Sequence, residues 1–109
     1  MTAGKGVSQW WVYMLCCADG SLYTGVAKDV AKRLDEHNHS PKGAKYTRVR
    51  RPVEVAYIEA VLDRSAAMKR EIAIKSLSRL RKQQLIAESI DRSHHYADSL
   101  QIQLSRSVL

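Results

Sequence analysis

This 109-residue chain has no phenylalanine, two prolines, five glycines and two cysteines. Without Phe, its large aromatic surface must come from Trp10, Trp11 and five tyrosines, side chains whose polar atoms need partners when buried. Cys16 and Cys17 are adjacent, and neighbours on a strand point to opposite faces, which argues against a structural disulfide between them. No CxxC pair suggests zinc. Reduced thiols fit a cytoplasmic protein. No basic-then-apolar leader precedes Trp10, and no apolar run is long enough to span a bilayer, so no membrane role is expected. Internal repeats and low-complexity tracts are missing as well, which leaves one domain and a monomer as the default.

Acidic residues are also scarce. Eleven stand against 18 basic ones, a formal charge of +7. Such a surplus draws a protein to polyanions, nucleic acid first and anionic membrane second. Hydrophobic residues make up 45% of the chain, so it can fold. A chain of this size buries roughly two-thirds of its unfolded surface.

Two aromatic, β-rich runs, Trp10 to Cys17 and Leu22 to Val26, flank Ala18-Asp19-Gly20 and read as a hairpin. A two-residue Asp19-Gly20 loop pairs Tyr13 with Val26 and sends Tyr13 and Tyr23 to opposite faces. A three-residue loop, a type I turn closed by Gly20 in the left-handed region, pairs Tyr13 with Gly25 and Leu15 with Tyr23. Both phenols then share a face, and Gly25 leaves space opposite Tyr13. Gly20 and Ala18 suit the second register, although composition leaves the first open.

Asp29 is a plausible N-cap for a helix in which Val30 and Leu34 pack back on the hairpin. Arg33 and His37 are spaced i, i+4 and stack on one side of it. Taken singly, a strand tyrosine is more often core, and a helix Arg or His more often faces water. After a turn at 38–43, Lys42, Lys45, Arg48, Arg50 and Arg51 form an acid-free basic run around Tyr46. Cations with an interleaved ring suit a phosphate backbone and a base, and a solvated loop is the equal alternative.

Pro52 opens a third strand to Val61, and Asp63 caps a helix from about Arg64 to Leu77. Its wheel puts Ala66, Ala73, Ile74, Leu77 and Leu80 on a core side and Met68 and Ile72 on a second covered flank. Glu71 falls at the border of the two, where a carboxylate is costly unless it is paired, for instance with Lys75, or holds a cation. Ser78 breaks the helix, and Arg79 to Ser89 forms another with Leu85 and Ile86 inward. Residues 1–9 read as a flexible arm, 10–88 as the domain, and 89–109 as a tail, helical or disordered.

The ordered set Trp11-Val12-Tyr13, Tyr23-Thr24-Gly25, Arg33 and His37 resembles the GIY-YIG nuclease superfamily. CADGSLYTG, GAKYTR, RRPVE and RE-x-x-IK-x-LSR are similar to its small, stand-alone, uncharacterised bacterial members. The resemblance spans roughly Trp10 to Glu88. It implies an α/β (α+β) fold, a three-stranded antiparallel sheet flanked by helices. It also implies an endonuclease with Tyr13, Tyr23, Arg33 and His37 as catalytic residues. Glu71 would be the ligand of a single Mg²⁺ (or Mn²⁺), and Tyr46 would lie near the site on a short helix.

Lys42, Lys45, Tyr46, Arg48, Arg50, Arg51, Lys75 and Arg79 are then the candidate nucleic-acid contacts, with DNA the first expectation. Arg33 matches a phosphate geometrically, and a cation on Glu71 would stabilise charge and the leaving oxygen. By resemblance Tyr13 is base and relay with Tyr23 and His37 as partners, whereas intrinsic basicity favours His37. Val26 replaces a lysine carried by some repair members, and no asparagine follows Glu71. These departures bear on catalytic competence and keep a second reading in play, a nucleic-acid-binding module of the same fold with little or no cleavage.

Overall fold

The computed structural model describes residues 9–105; the arm expected at 1–9 lies outside them apart from Gln9. Strands β1 (Trp10–Cys16), β2 (Leu22–Ala27) and β3 (Glu54–Val61) form one antiparallel sheet in the order β2-β1-β3. The hairpin takes the three-residue loop. Gly20 has φ +84°, its N–H donates to the Cys17 carbonyl, and Tyr13 pairs with Gly25 and Leu15 with Tyr23. Glycine reaches this backbone conformation without a Cβ penalty, so the turn chemistry fixes the register.

Side chains alternate between two cores. Trp11, Tyr13 and Leu15 face α1 (Val30–His39) and α5 (Ile90–Ser99), burying Val30 and Ala97 among them. Val12, Met14 and Cys16 face α3 (Arg64–Lys75) and α4 (Arg79–Glu88), with Ala67, Ile74 and Ile86. Asp29, Asp63 and Ser78 cap α1, α3 and α4 through side-chain oxygens, each accepting a backbone N–H three residues on. The short α2 (Lys45–Arg48) sits between α1 and β3.

Two expectations about α3 fail. Only Ala67 and Ile74 are buried, whereas Ala73 and Leu80 are exposed. The helix ends at Lys75, so Leu80 belongs to the first turn of α4 and no longer follows the α3 wheel. The second flank is open too, with Met68 exposed and Ile72 at 67% exposure. Of the stretch 89–109, left between helix and disorder by the sequence, the described residues form α5 and then place Ile102 and Leu104 in the core, where Leu104 bridges Val55. Among the described residues no helix is long and apolar enough to cross a membrane. Cys16 and Cys17 are free and buried, without a disulfide.

Candidate active site

The two phenols of the hairpin and the histidine of α1 meet on one face of the sheet. Tyr13 is buried beneath the site, and its hydroxyl lies 2.9 Å from His37 Nε2. The Tyr23 ring stands edge-on to His37, with centroids 5.2 Å apart. Gly25 makes this possible. A Cβ there would come within 2.5 Å of the Tyr13 oxygen and 2.7 Å of its ring carbon, so the phenol occupies the space that any other residue would fill.

His37 is fully buried, not solvent-facing as helix histidines usually are. Its Nδ1 lies 2.9 Å from Thr47 Oγ1 on α2, so both ring nitrogens are engaged. Burial, reinforced by the nearby positive charges of Arg33 and Arg51, lowers its pKa from 6.5 to about 4, which leaves the ring neutral at neutral pH. Burial also pushes the Tyr13 phenol well above its ordinary 10; the charges of Tyr23 and Glu71 add to this, and Arg33 opposes it.

Arg33, one helical turn before His37, reaches the same place. Its Nη1 donates to Glu36 at 2.9 Å and to the Lys42 carbonyl at 2.8 Å, which fixes the guanidinium against Tyr13. The four expected catalytic residues thus come together on one face. Glu71 approaches differently. It projects from α3, which packs on the other face against β1 and the edge strand β2. Its carboxylate forms the pair with Lys75 that the sequence offered as the alternative, at 3.2 Å. The Glu71 side chain is only 15% exposed while Lys75 is 52% exposed, so the carboxylate is the sheltered partner, close enough for its charge to act on Tyr13.

Among the described residues no three His, Cys, Asp or Glu side chains cluster as a metal cage. His39 is exposed on the last turn of α1 near Asp35, while His37 is buried. A hard cation that takes one carboxylate and completes its shell with water and phosphate oxygens fits this donor set, and a cation needing an all-protein shell does not.

The basic residues divide into two groups. Lys42, Lys45 and Arg48 are exposed, and their side chains make no hydrogen bond or ion pair within the described residues. The others are engaged. Arg50 donates to Asp19 at 3.1 Å and to the Tyr46 carbonyl at 2.8 Å, and it covers the Tyr46 ring at 3.8 Å. Tyr46 also stacks on Tyr23, with centroids 6.0 Å apart, so its ring contributes to the site wall more than to an open stacking platform. Arg79 donates to the Gly20 carbonyl.

Arg51 departs furthest from its expected role. Its guanidinium turns inward onto the C-terminal carbonyls of α1, at 2.6 Å from His37 O, 2.6 Å from Ser40 O and 3.3 Å from Glu36 O. A cation there satisfies carbonyls that lack intrahelical donors and complements the helix dipole. Sequence reasoning missed this clasp. It also missed Thr47, and it missed Asn38, whose amide pairs with both backbone groups of Val53. The signal for Thr47 was its place in the GAKYTR run, which carried no indication of its partner. On the far side of the sheet, the Tyr57 hydroxyl donates to Glu59, which also holds Arg70 at 2.8 Å.

Comparison with known proteins adds the following. Residues 9–84 match the model of the GIY-YIG catalytic domain. The chain is 56% identical over 80 residues to a UPF0213 protein of Desulfotalea psychrophila, covering 73% of each. It is 51% identical over 78 residues to one of Staphylococcus saprophyticus, covering 72% of this chain and 94% of that one. Among solved structures it is similar to the solution NMR structure of a UPF0213 protein from Bacillus halodurans, with a TM-score of 0.50 and 37% identity over 89% of this chain and 99% of that chain. An E. faecalis protein solved by NMR gives a TM-score of 0.53 and 40% identity over 75% of this chain and 88% of that one.

Proposed function

We propose that this chain, which belongs to the GIY-YIG catalytic domain family, is an endonuclease that hydrolyses phosphodiester bonds of nucleic acid, DNA first, with the help of one divalent ion. The observation that carries the reading is the convergence of Tyr13, Tyr23, Arg33 and His37 on one face, beside the exposed cations Lys42, Lys45 and Arg48. The two adjacent free thiols suit a reducing cytoplasm.

Hydrolysis requires a water to lose a proton as its oxygen bonds to phosphorus, and the opposite P–O bond to break with its oxygen taking up a proton. Glu71 would hold Mg²⁺ or Mn²⁺, which when bound supplies Lewis-acid stabilisation of the phosphoryl and leaving oxygens. Arg33, held by Glu36 and the Lys42 carbonyl, offers a fixed guanidinium to the phosphate. Tyr13, with its pKa raised by burial, is a poor base by itself. It can serve as a relay, taking the water proton at its oxygen as its own passes to His37 Nε2. His37 is neutral at rest and can receive it. Tyr23 packs against the imidazole and holds the ring.

The Glu71–Lys75 pair is the observation that favours the second reading, a module that binds nucleic acid without cutting it. Nicking of supercoiled plasmid and cleavage of labelled branched oligonucleotides, with Mg²⁺, Mn²⁺ or EDTA, separate the two. Metal-dependent nicking that disappears in Glu71→Ala and Tyr13→Phe is the expected result. Binding without cleavage, unchanged by Glu71→Ala, would establish the second reading.

A further inference from the structure

Three short contacts run in series through the centre of the site: Tyr13 Oη to His37 Nε2 at 2.9 Å, His37 Nδ1 to Thr47 Oγ1 at 2.9 Å, and Thr47 Oγ1 to the Ala44 carbonyl oxygen at 2.9 Å. All three side chains are buried, and Thr47 is completely so. With His37 neutral, the series holds three protons, one each from the phenol, the imidazole and the hydroxyl. The carbonyl at the end can only accept. The Thr47 proton must therefore point at Ala44, or two oxygens face each other at 2.9 Å with no hydrogen between them. That leaves Thr47 Oγ1 as an acceptor toward Nδ1. The imidazole proton sits on Nδ1, Nε2 is a bare lone pair, and the phenol donates to it. Any other assignment leaves one short contact without a proton.

We infer that Thr47 is a positioning residue of the active site, which through the Ala44 carbonyl holds His37 in its Nδ1–H tautomer and so keeps Nε2 open to receive the Tyr13 proton. The role in catalysis rests on the nuclease reading above; the tautomer does not. Without Thr47 as an acceptor at Nδ1, nothing in the contact series ties the imidazole proton to that nitrogen. An Nε2–H ring would donate to Tyr13 and block the relay. Thr47 reaches His37 because α2, capped at Ala44, packs against α1, and because a helical threonine readily donates to the carbonyl one turn back.

The test is the long-range ¹H–¹⁵N correlation spectrum of the imidazoles in the ¹⁵N-labelled full chain at neutral pH, with His37 assigned by its loss in His37→Gln. The expected spectrum shows His37 protonated at Nδ1 and bare at Nε2 in the wild type and in Thr47→Ser. In Thr47→Val, of similar shape but without an acceptor, the signals shift to the Nε2–H form or an average of the two. Plasmid nicking should fall at least tenfold in Thr47→Val and be restored in Thr47→Ser. An Nε2–H His37 in the wild type or in Thr47→Ser overturns the inference. So does a Thr47→Val protein that keeps the Nδ1–H pattern. If Thr47→Val does not fold, the wild-type and Thr47→Ser spectra still decide. The expected tautomers with no nicking by any form would uphold the assignment of Thr47 to His37 and overturn the nuclease reading instead.

Discussion

Gly25 and Tyr13 face each other across the β1–β2 ladder so closely that one added carbon on Gly25 would stand 2.5 Å from the phenol oxygen. The Tyr13 ring is buried and its hydroxyl is tied to His37, so it has no free direction in which to retreat. Gly25→Ala should cost roughly 1–3 kcal/mol of stability by overpacking and reduce nicking at least tenfold by moving the hydroxyl off Nε2. Denaturant unfolding and plasmid nicking measured on the same preparation check both.

Gly20 is the matching control. Its left-handed backbone is strained for any residue with a Cβ, yet nothing lies within 4 Å of the position that carbon would take. Gly20→Ala should cost roughly 1–2 kcal/mol and leave nicking per folded molecule unchanged. Loss of activity in this variant, with stability intact, would mean that the turn takes part in the chemistry.

Arg51 and Arg48 should separate stability from binding. Arg51→Ala leaves the α1 carbonyls without their cation and should cost roughly 1.5–3 kcal/mol, the range for hydrogen bonds to charged groups, with the salt dependence of DNA binding unaltered. Arg48→Ala should stay within about 0.5 kcal/mol in stability and lower the slope of log affinity against log salt by about 1. Thermal unfolding and fluorescence anisotropy at several salt concentrations are the measurements. The reverse pattern would return Arg51 to the interface.

His37 makes the stability of the fold depend on pH. Its folded pKa is lowered to about 4 from 6.5, so between those values the unfolded chain binds the additional proton. Its contribution to stability is complete above pH 6.5 and is lost as the pH falls toward 4, with a slope of at most about 1.4 kcal/mol per pH unit. Denaturant unfolding from pH 4.5 to 7.5 should show that slope in the wild type and a flatter curve in His37→Gln. Equal slopes would assign the titration to another group.

If Glu71 holds the ion as proposed, Lys75 would compete with it for the carboxylate. Lys75→Ala removes a pair that is half exposed on the lysine side, so it should change stability by less than about 1 kcal/mol. It should also lower the Mg²⁺ concentration for half-maximal nicking, by about fivefold at most if that same energy is released. An unchanged Mg²⁺ requirement would show that the ion does not use the Glu71 oxygen facing Lys75.

Local chemistry was legible in the sequence wherever a single residue type satisfies a single backbone demand. Gly20 favoured the observed hairpin register, and Asp29 and Asp63 marked helix starts, because a left-handed turn or an open helix N-terminus accepts few side chains; Ser78, read only as a helix break, caps α4. The α3 wheel was less reliable. Two buried residues one heptad apart, Ala67 and Ile74, suffice to seat this helix on the sheet, so Ile72 and Ala73 carry apolar identity without burial. Arg51 stood in a basic run like its neighbours, and only the approach of the α1 C-terminus gave its guanidinium three carbonyls. Thr47 was silent for a similar reason. A hydroxyl has no role until the fold supplies both its acceptor, three residues back, and its donor, ten residues back.

The stretch that carries Lys42, Lys45 and Arg48 is fastened along its whole length. Gly43 sits so tightly on α1 that a Cβ would meet the Glu36 carbonyl at 2.6 Å, Thr47 is joined to His37, Arg50 to Asp19, and Arg51 to the end of α1. The backbone bearing the three open cations has therefore given up its conformational freedom during folding, before any ligand arrives. Association with a phosphate backbone would order little more than the lysine and arginine stems and bury little apolar surface. Calorimetry of that association should then show a small heat-capacity change, without the large negative value of coupled folding and binding.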